Sequence, residues 1–156
     1  GTIKDDEHEF VLTMEKERKY YMSISTDHRY GLYLTNNVMT TVGKYYTGLC
    51  QMFNLTRETF LPQAVLSSPD NVVHFLESMP SIDVRIKLYF DLLADKDYKF
   101  KPHDSFDIFF LSTAVPYSDV VVTERTWKHR VEKMKLSAKY GTVMYDNLKK
   151  LADSDL

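Results

Sequence analysis

HDSFDIFFLSTAVPYSDVVVTER, residues His103 to Arg125, is the stretch on which the fold turns. Its first half sets two aspartates, Asp104 and Asp107, three positions apart at the head of an apolar run, and that pattern predicts a helix over 104–114. Pro116-Tyr117-Ser118 reads as a turn, because proline ends helices and serine favours turns. The β-branched run Val120-Val121-Val122 predicts a strand over 119–123 that closes on Thr123-Glu124. Beyond it, ERTWKHRVEKMK predicts a helix over 124–135, with Trp127 and Val131 inward and basic residues outward. Ala138 to Gly141 reads as a turn, Thr142-Val143-Met144 as a second short strand, and Asp146 to Leu151 as a closing helix. Strand, helix and strand in that order predict two parallel strands side by side, since parallel neighbours need a crossover connection.

Upstream the chain reads as helices. Residues 5–24 open with acids and carry Lys16, Arg18 and Lys19 later, the polarity that suits a helix dipole, with Val11, Met14 and Tyr21 on an apolar face. Residues 28–53 place Val38, Val42, Tyr45, Tyr46, Leu49 and Phe53 at helical spacing; Gly31, Gly43 and Gly48 mark either close helix packing or a break near Gly31. A short helix from Thr56 through Glu58 and Thr59 to Pro62 is expected, then one over 70–78 after Ser67-Ser68-Pro69. Ile82, Ile86, Tyr89, Phe90 and Leu93 make 82–95 the clearest amphipathic helix. His74 has no second histidine or cysteine at ligand spacing and reads as an ordinary helix residue. Lys96 to Lys101, KDYKFK, is basic and interleaved with aromatics, which suits either a solvated loop or contact with a nucleic-acid strand.

At 156 residues, 44% hydrophobic and 27% charged, the chain has the size and composition of one folded domain, or a fragment of one, spanning 1–156. No apolar run approaches the ~20 residues needed to cross a bilayer. Twenty basic against twenty-two acidic residues leave a net charge of −2, which argues against wholesale non-specific nucleic-acid binding but leaves room for a local basic surface. Cys50 is the single cysteine, so no internal disulfide forms, in keeping with a cytoplasmic location. Asn54-Leu55-Thr56 matches a glycosylation acceptor and reads as chance. A start at Gly1 without methionine reads as part of a longer protein.

Asp104 and Asp107 share a helix face, and Glu124 stands just past the carboxyl end of the predicted strand, where open α/β sheets place ligands. If the helix runs antiparallel to the strand, the three acids meet at one sheet edge, where they could hold Mg²⁺ or Mn²⁺. Each acid also has a plain structural use: Asp104 as N-cap with Asp107 at N3, and Glu124 in a first turn behind an N-cap Thr123.

DIFFLSTAVPYSDVVVTERTW, with YGTVMYDNLKKL behind it, resembles the C-terminal half of PIN-like nuclease domains over about residues 102–152. The residues themselves read as a predominantly helical α/β fold with a small parallel sheet in the C-terminal third, following a helical region over 5–95, and the resemblance implies a parallel-sheet α/β/α sandwich. It also implies phosphodiester hydrolysis, with RNA as partner and Mg²⁺ or Mn²⁺ as cofactor. Asp107 matches the acid that opens the penultimate helix, Asp104 the position that relatives fill with Asn or Asp, and Glu124 the acid after the threonine that ends the strand. These three are the implied catalytic and metal-holding residues. The pattern is incomplete at its N-terminus: before residue 80 no apolar strand ends in aspartate, and Glu7, Glu9, Glu15, Glu17 and Glu58 form no pattern that marks a further ligand. The alternative expectation is a non-catalytic helical module that binds a protein partner or self-associates through an apolar patch around Tyr45, Tyr46 and Phe53.

Overall fold

The computed structural model describes residues 3–37, 40, 43–55 and 68–153. The expected helix over 56–62 lies outside the described residues. By proximity the chain falls into two compact units, Lys19–Met79 and Gly1–Arg18 with Pro80–Leu156, so the division cuts through the region read as one helical stretch.

In the unit of Lys19–Met79 the elements are the end of α1 (Ile3–Met22), α2 (Thr26–Asn37), α3 (Gly43–Phe53) and α4 (Pro69–Glu77). Tyr21, Tyr33, Leu34 and Leu76 are buried there, and the Tyr21 and Tyr33 rings meet edge to face with centroids 5.3 Å apart. Arg29 closes the turn between α1 and α2 by donating Nε to the carbonyl of Tyr21 at 2.8 Å and an Nη to that of Ile24 at 2.9 Å. Ser68 caps α4 by accepting the Asn71 N–H at 3.2 Å, and Pro69 takes the first position, where a missing N–H costs nothing. Gly31 lies inside α2 rather than at a break, and neither it nor Gly48 approaches a neighbour: a Cβ at either would meet nothing within 4 Å. The close-packing expectation for those two glycines is therefore corrected. Phe53 is exposed, as are its neighbours Met52 and Leu55, while the side chains of Tyr45 and Tyr46 lie outside the described residues.

The second unit is organised on α5 (Pro80–Ala94). Val84, Ile86, Leu88, Leu92 and Leu93 are all fully or nearly fully buried, so α5 is enclosed on more than the one face its heptad-like spacing suggests. Against it packs α6 (Asp104–Tyr117), which buries Ile108, Leu111, Ser112 and Val115 at three- and four-residue intervals. α6 does not stop before Pro116; it runs through that residue to Tyr117, correcting the expected turn. A proline in the last turn removes only one intrahelical donor, and the Ser118 N–H still closes on the Ala114 carbonyl at 3.0 Å.

The chain then forms β1 (Val120–Val122), α7 (Arg125–Lys133), α8 (Leu136–Tyr140), β2 (Val143–Tyr145) and α9 (Leu148–Ala152). β1 and β2 pair in parallel with Val121 opposite Met144, so the predicted strand–helix–strand crossover is present. Ala138 to Gly141, read as a turn, is instead the end and C-cap of a helical segment, Leu136–Tyr140. It is set off from α7 by Lys135 and ended by Gly141, both with positive φ (58° and 73°). Asn147 caps α9, accepting the Lys150 N–H at 2.9 Å. Together these elements give a mostly helical α/β fold with a two-stranded parallel sheet near the C-terminus.

Candidate functional site

α6 joins β1 through the short link at Ser118 and Asp119. The indole Nε1 of Trp127, in the first turn of α7, donates to Oδ2 of Asp107 at 2.9 Å. That single bond ties the acidic head of α6 to the helix that follows β1, and Trp127 is itself buried. Glu124 is the N-cap residue of α7; its side chain makes no capping bond and is exposed. Thr123 keeps its backbone in the sheet, donating its N–H to Tyr145 O at 3.0 Å, rather than serving as the cap. The expected first-turn role of Glu124 is thus shifted by one position.

Asp104 takes a different part. The N-cap of α6 is His103, whose side chain makes no capping bond, and Asp104 is the first helical residue, 1% exposed. Its Oδ1 accepts the Tyr98 hydroxyl at 2.7 Å and its Oδ2 accepts the Lys101 N–H at 2.8 Å. The carboxylate folds back over the preceding loop, and the capping-box expectation for Asp104 and Asp107 is corrected. Burial, reinforced by the bond to Asp104, pushes the Tyr98 phenol well above its ordinary value, so Tyr98 is held as a neutral donor.

The loop's aromatics face the same interior. Arg18 on α1 lays its guanidinium over Phe100 at 3.8 Å from the ring centroid, Phe100 meets Tyr98 edge to face at 6.2 Å, and Arg130 on α7 sits over Tyr98 at 4.6 Å. Arg18 also donates to the carbonyls of Tyr98 (2.7 Å) and Leu92 (2.8 Å). Tyr98 and Phe100 are therefore packing residues of the 96–101 loop, not platforms on which a base could stack.

Asp83 and Asp91, buried on α5, and Asp95 just past its end complete the frame, and none of them stood out in the sequence. Asp91 accepts from Arg130 through Oδ2 and from Lys133 through Oδ1 at 2.8 Å, while Asp95 accepts the other Arg130 Nη at 2.7 Å. The Arg130 bond holds the Asp95 carboxyl below the usual range. Burial works against the Arg130 charge, but its bonds to Asp95 and Asp91 outweigh that and raise its pKa. About two turns earlier on the same helix, Asp83 accepts from Lys87 (2.7 Å), Lys139 (2.9 Å) and the Tyr140 hydroxyl (2.8 Å), joining α5 to α8. Burial opposes ionisation of Asp83, yet these three donors prevail and lower its pKa.

Beside this frame α7 lines a groove of about 520 Å³ with Arg125, Thr126, His129, Arg130 and Lys133, opposite Asp95. Arg125 and His129 are exposed, and neither side chain has a partner among the described residues. Basic residue types at four-residue intervals on one helix were the available signal, because Arg125, His129 and Lys133 are i, i+4 and i+8.

A divalent ion of the Mg²⁺ or Mn²⁺ kind takes carboxylate oxygens. Asp107 Oδ1 and the Glu124 carboxylate are open to such a role among the described residues, whereas both oxygens of Asp104 are engaged. Among the described residues no group of three or more His, Cys, Asp or Glu side chains lies close enough together to hold a metal. The acids present do not by themselves complete the ligand set that the PIN-like resemblance implies. Among the described residues no helix is long and apolar enough to cross a membrane. No family model matches the chain, and no curated protein and no solved structure matches it.

Proposed function

We propose that this chain carries the late half of the acidic centre of a PIN-like, divalent-metal-dependent endoribonuclease. In this reading Asp107 and Glu124 are the open carboxylates, and Asp104 is the buried acid that fixes the loop before α6. The observation that carries it is the Trp127–Asp107 bond, which brings the acidic head of α6 to the first turn of α7, just past the carboxyl end of a parallel strand. Ligand sites of open α/β sheets lie at such edges. The test is cleavage of a fluorescent single-stranded RNA by the full natural chain with Mn²⁺ or Mg²⁺. Asp107→Asn is expected to abolish it, and unchanged cleavage in that variant refutes the reading.

A second reading, a non-catalytic interaction module, is favoured by one specific observation. Phe106, Phe109, Phe110 and Tyr117 on the outer side of α6 are each more than half exposed. Solvent-exposed aromatic rows of this kind mark contact surfaces. Phe106→Ser with Phe110→Ser is expected to abolish self-association of the full natural chain in sedimentation velocity, and unchanged association in that double variant refutes this reading.

A further inference from the structure

We infer that the outer face of α6 docks on the same face of a second copy of this chain, the two helices antiparallel about a two-fold axis. This rests on the interaction-module reading for the existence of a contact, and on the face's own pattern for its occupant and geometry. α6 is apolar on both sides. Ile108, Leu111 and Val115 are fully buried, while Phe106, Phe109, Phe110 and Tyr117 stand more than half exposed. A helix that is apolar all round belongs in an interior, covered on every side. The exposed rings, with exposed Thr113 among them, recur at intervals of three and four residues and so form one strip along the helix. Between Asp107 and Asp119 the chain carries no charged residue. The Thr113 hydroxyl bonds back to the Phe109 carbonyl at 3.4 Å, so it makes no demand on a partner.

The area, the shape and the charge of this strip each suit a second copy. At the exposures observed, the four rings leave roughly 500 Å² open per chain. A two-fold contact doubles that to about 1,000 Å², the lower limit for a specific interface, so the dimer forms in the micromolar range. A two-fold also requires a strip that complements itself. The midpoint of this one falls between Phe110 and Thr113, so an antiparallel copy sets bulky Phe110 against small Thr113 and Phe106 against Tyr117. Exposed Lys101 precedes the head of α6 and exposed Asp119 follows its end, and neither side chain has a partner among the described residues. Antiparallel pairing brings Lys101 of each copy to the end that holds Asp119 of the other, and it opposes the two helix dipoles. A parallel pairing would instead crowd together the acidic heads of both helices, with Asp104 and Asp107 of each.

The experiment is oxidative cross-linking of the full natural chain, its own cysteines replaced by serine (Cys50→Ser included), with sedimentation velocity alongside. One new cysteine is introduced at a time at Thr113, Phe106 or Tyr117, all exposed, so the variants keep the fold. Wild type is expected to dimerise as its concentration rises through the micromolar range. Thr113→Cys lies beside the axis and should form a disulfide-linked dimer by itself. Phe106→Cys and Tyr117→Cys should link when mixed, with at least about tenfold more linked dimer than either gives alone, because a disulfide needs its two Cα atoms within ~7 Å.

A linked dimer from Phe106→Cys alone, with none from the mixture, would show a parallel pairing and overturn the inference. Association that is lost in Phe106→Ser with Phe110→Ser, yet gives no cross-link at any of the three positions, also overturns it and leaves the interaction-module reading standing. A wild type that stays monomeric through the high micromolar range, or association unchanged in that double serine variant, takes both down together.

Discussion

Arg130→Met removes the hub of the unit formed by α5 to α9. Arg130 is 6% exposed, forks between Asp91 of α5 and Asp95 just past its end, and covers the Tyr98 ring that in turn holds Asp104. Methionine keeps most of the aliphatic packing, so the loss isolates the charge. Removing one partner of a buried pair leaves the other charge desolvated, at ~3–5 kcal/mol. Asp91, only 7% exposed, is that stranded charge, and Lys133 relieves part of the penalty. Asp95 sits nearer water, so its bond adds no more than ~1 kcal/mol. Contacts that share one guanidinium do not add, and the expected net destabilisation is ~3–5 kcal/mol, a fall in Tm of roughly 6–20 °C. Trp127 is the single tryptophan, it is buried, and it lies on the same helix, so urea unfolding followed by its fluorescence reads the site directly. The double variant Arg130→Met with Asp91→Leu replaces both charges by apolar groups and should recover at least ~2 kcal/mol of the loss. A single variant that loses under ~1 kcal/mol, or a double variant no more stable than the single, refutes the reasoning.

Three further outcomes follow from other contacts. Trp127→Phe deletes the indole donor to Asp107 and should cost ~1.5–3 kcal/mol, as befits a hydrogen bond to a charged group, read by the same denaturation assay using circular dichroism. Asp83 and Asp95 have lowered folded-state pKa values, so their stabilisation is complete above the unfolded value of ~4 and is lost as pH falls through the lower folded values. Tm should therefore drop steeply below about pH 4, and Asp83→Asn should flatten that acid limb while lowering Tm at pH 7. Gly141 and Lys135 both hold left-handed backbone, so Gly141→Ala should destabilise by ~1–2 kcal/mol, whereas Lys135→Gly should be neutral or stabilising by up to ~1 kcal/mol, both measured by thermal melting.

The crossover was legible because its signals are local. Val120 to Val122 is β-branched throughout, Trp127 and Val131 share a face, and Gly141 punctuates the chain just before a second β-branched run. Pro116 misled because the rule that proline breaks helices concerns the interior, and here it falls in the last turn. The acids of the site were legible as residues but not as partners. Spacing places Asp104 and Asp107 on one face; it does not say that Asp104 turns back to Tyr98 and Lys101 while Asp107 reaches Trp127, twenty positions on. Asp83 and Asp91 sit within an apolar helix, and only the arrival of Lys139, Tyr140, Arg130 and Lys133 from distant segments explains their burial. The aromatics of KDYKFK were ambiguous for the same reason: Phe100 and Tyr98 owe their inward stacking to Arg18 and Arg130, each supplied by another helix.

The central claim is that the acids at the head of α6 and the start of α7 belong to a divalent-metal site. Calorimetric titration of Mn²⁺ into the full natural chain tests it most directly, with Asp107→Asn and Glu124→Gln titrated alongside. The wild type is expected to show a saturable site that either substitution weakens at least tenfold. Heats for both variants that match the wild type, or no saturable binding in the wild type, would contradict it.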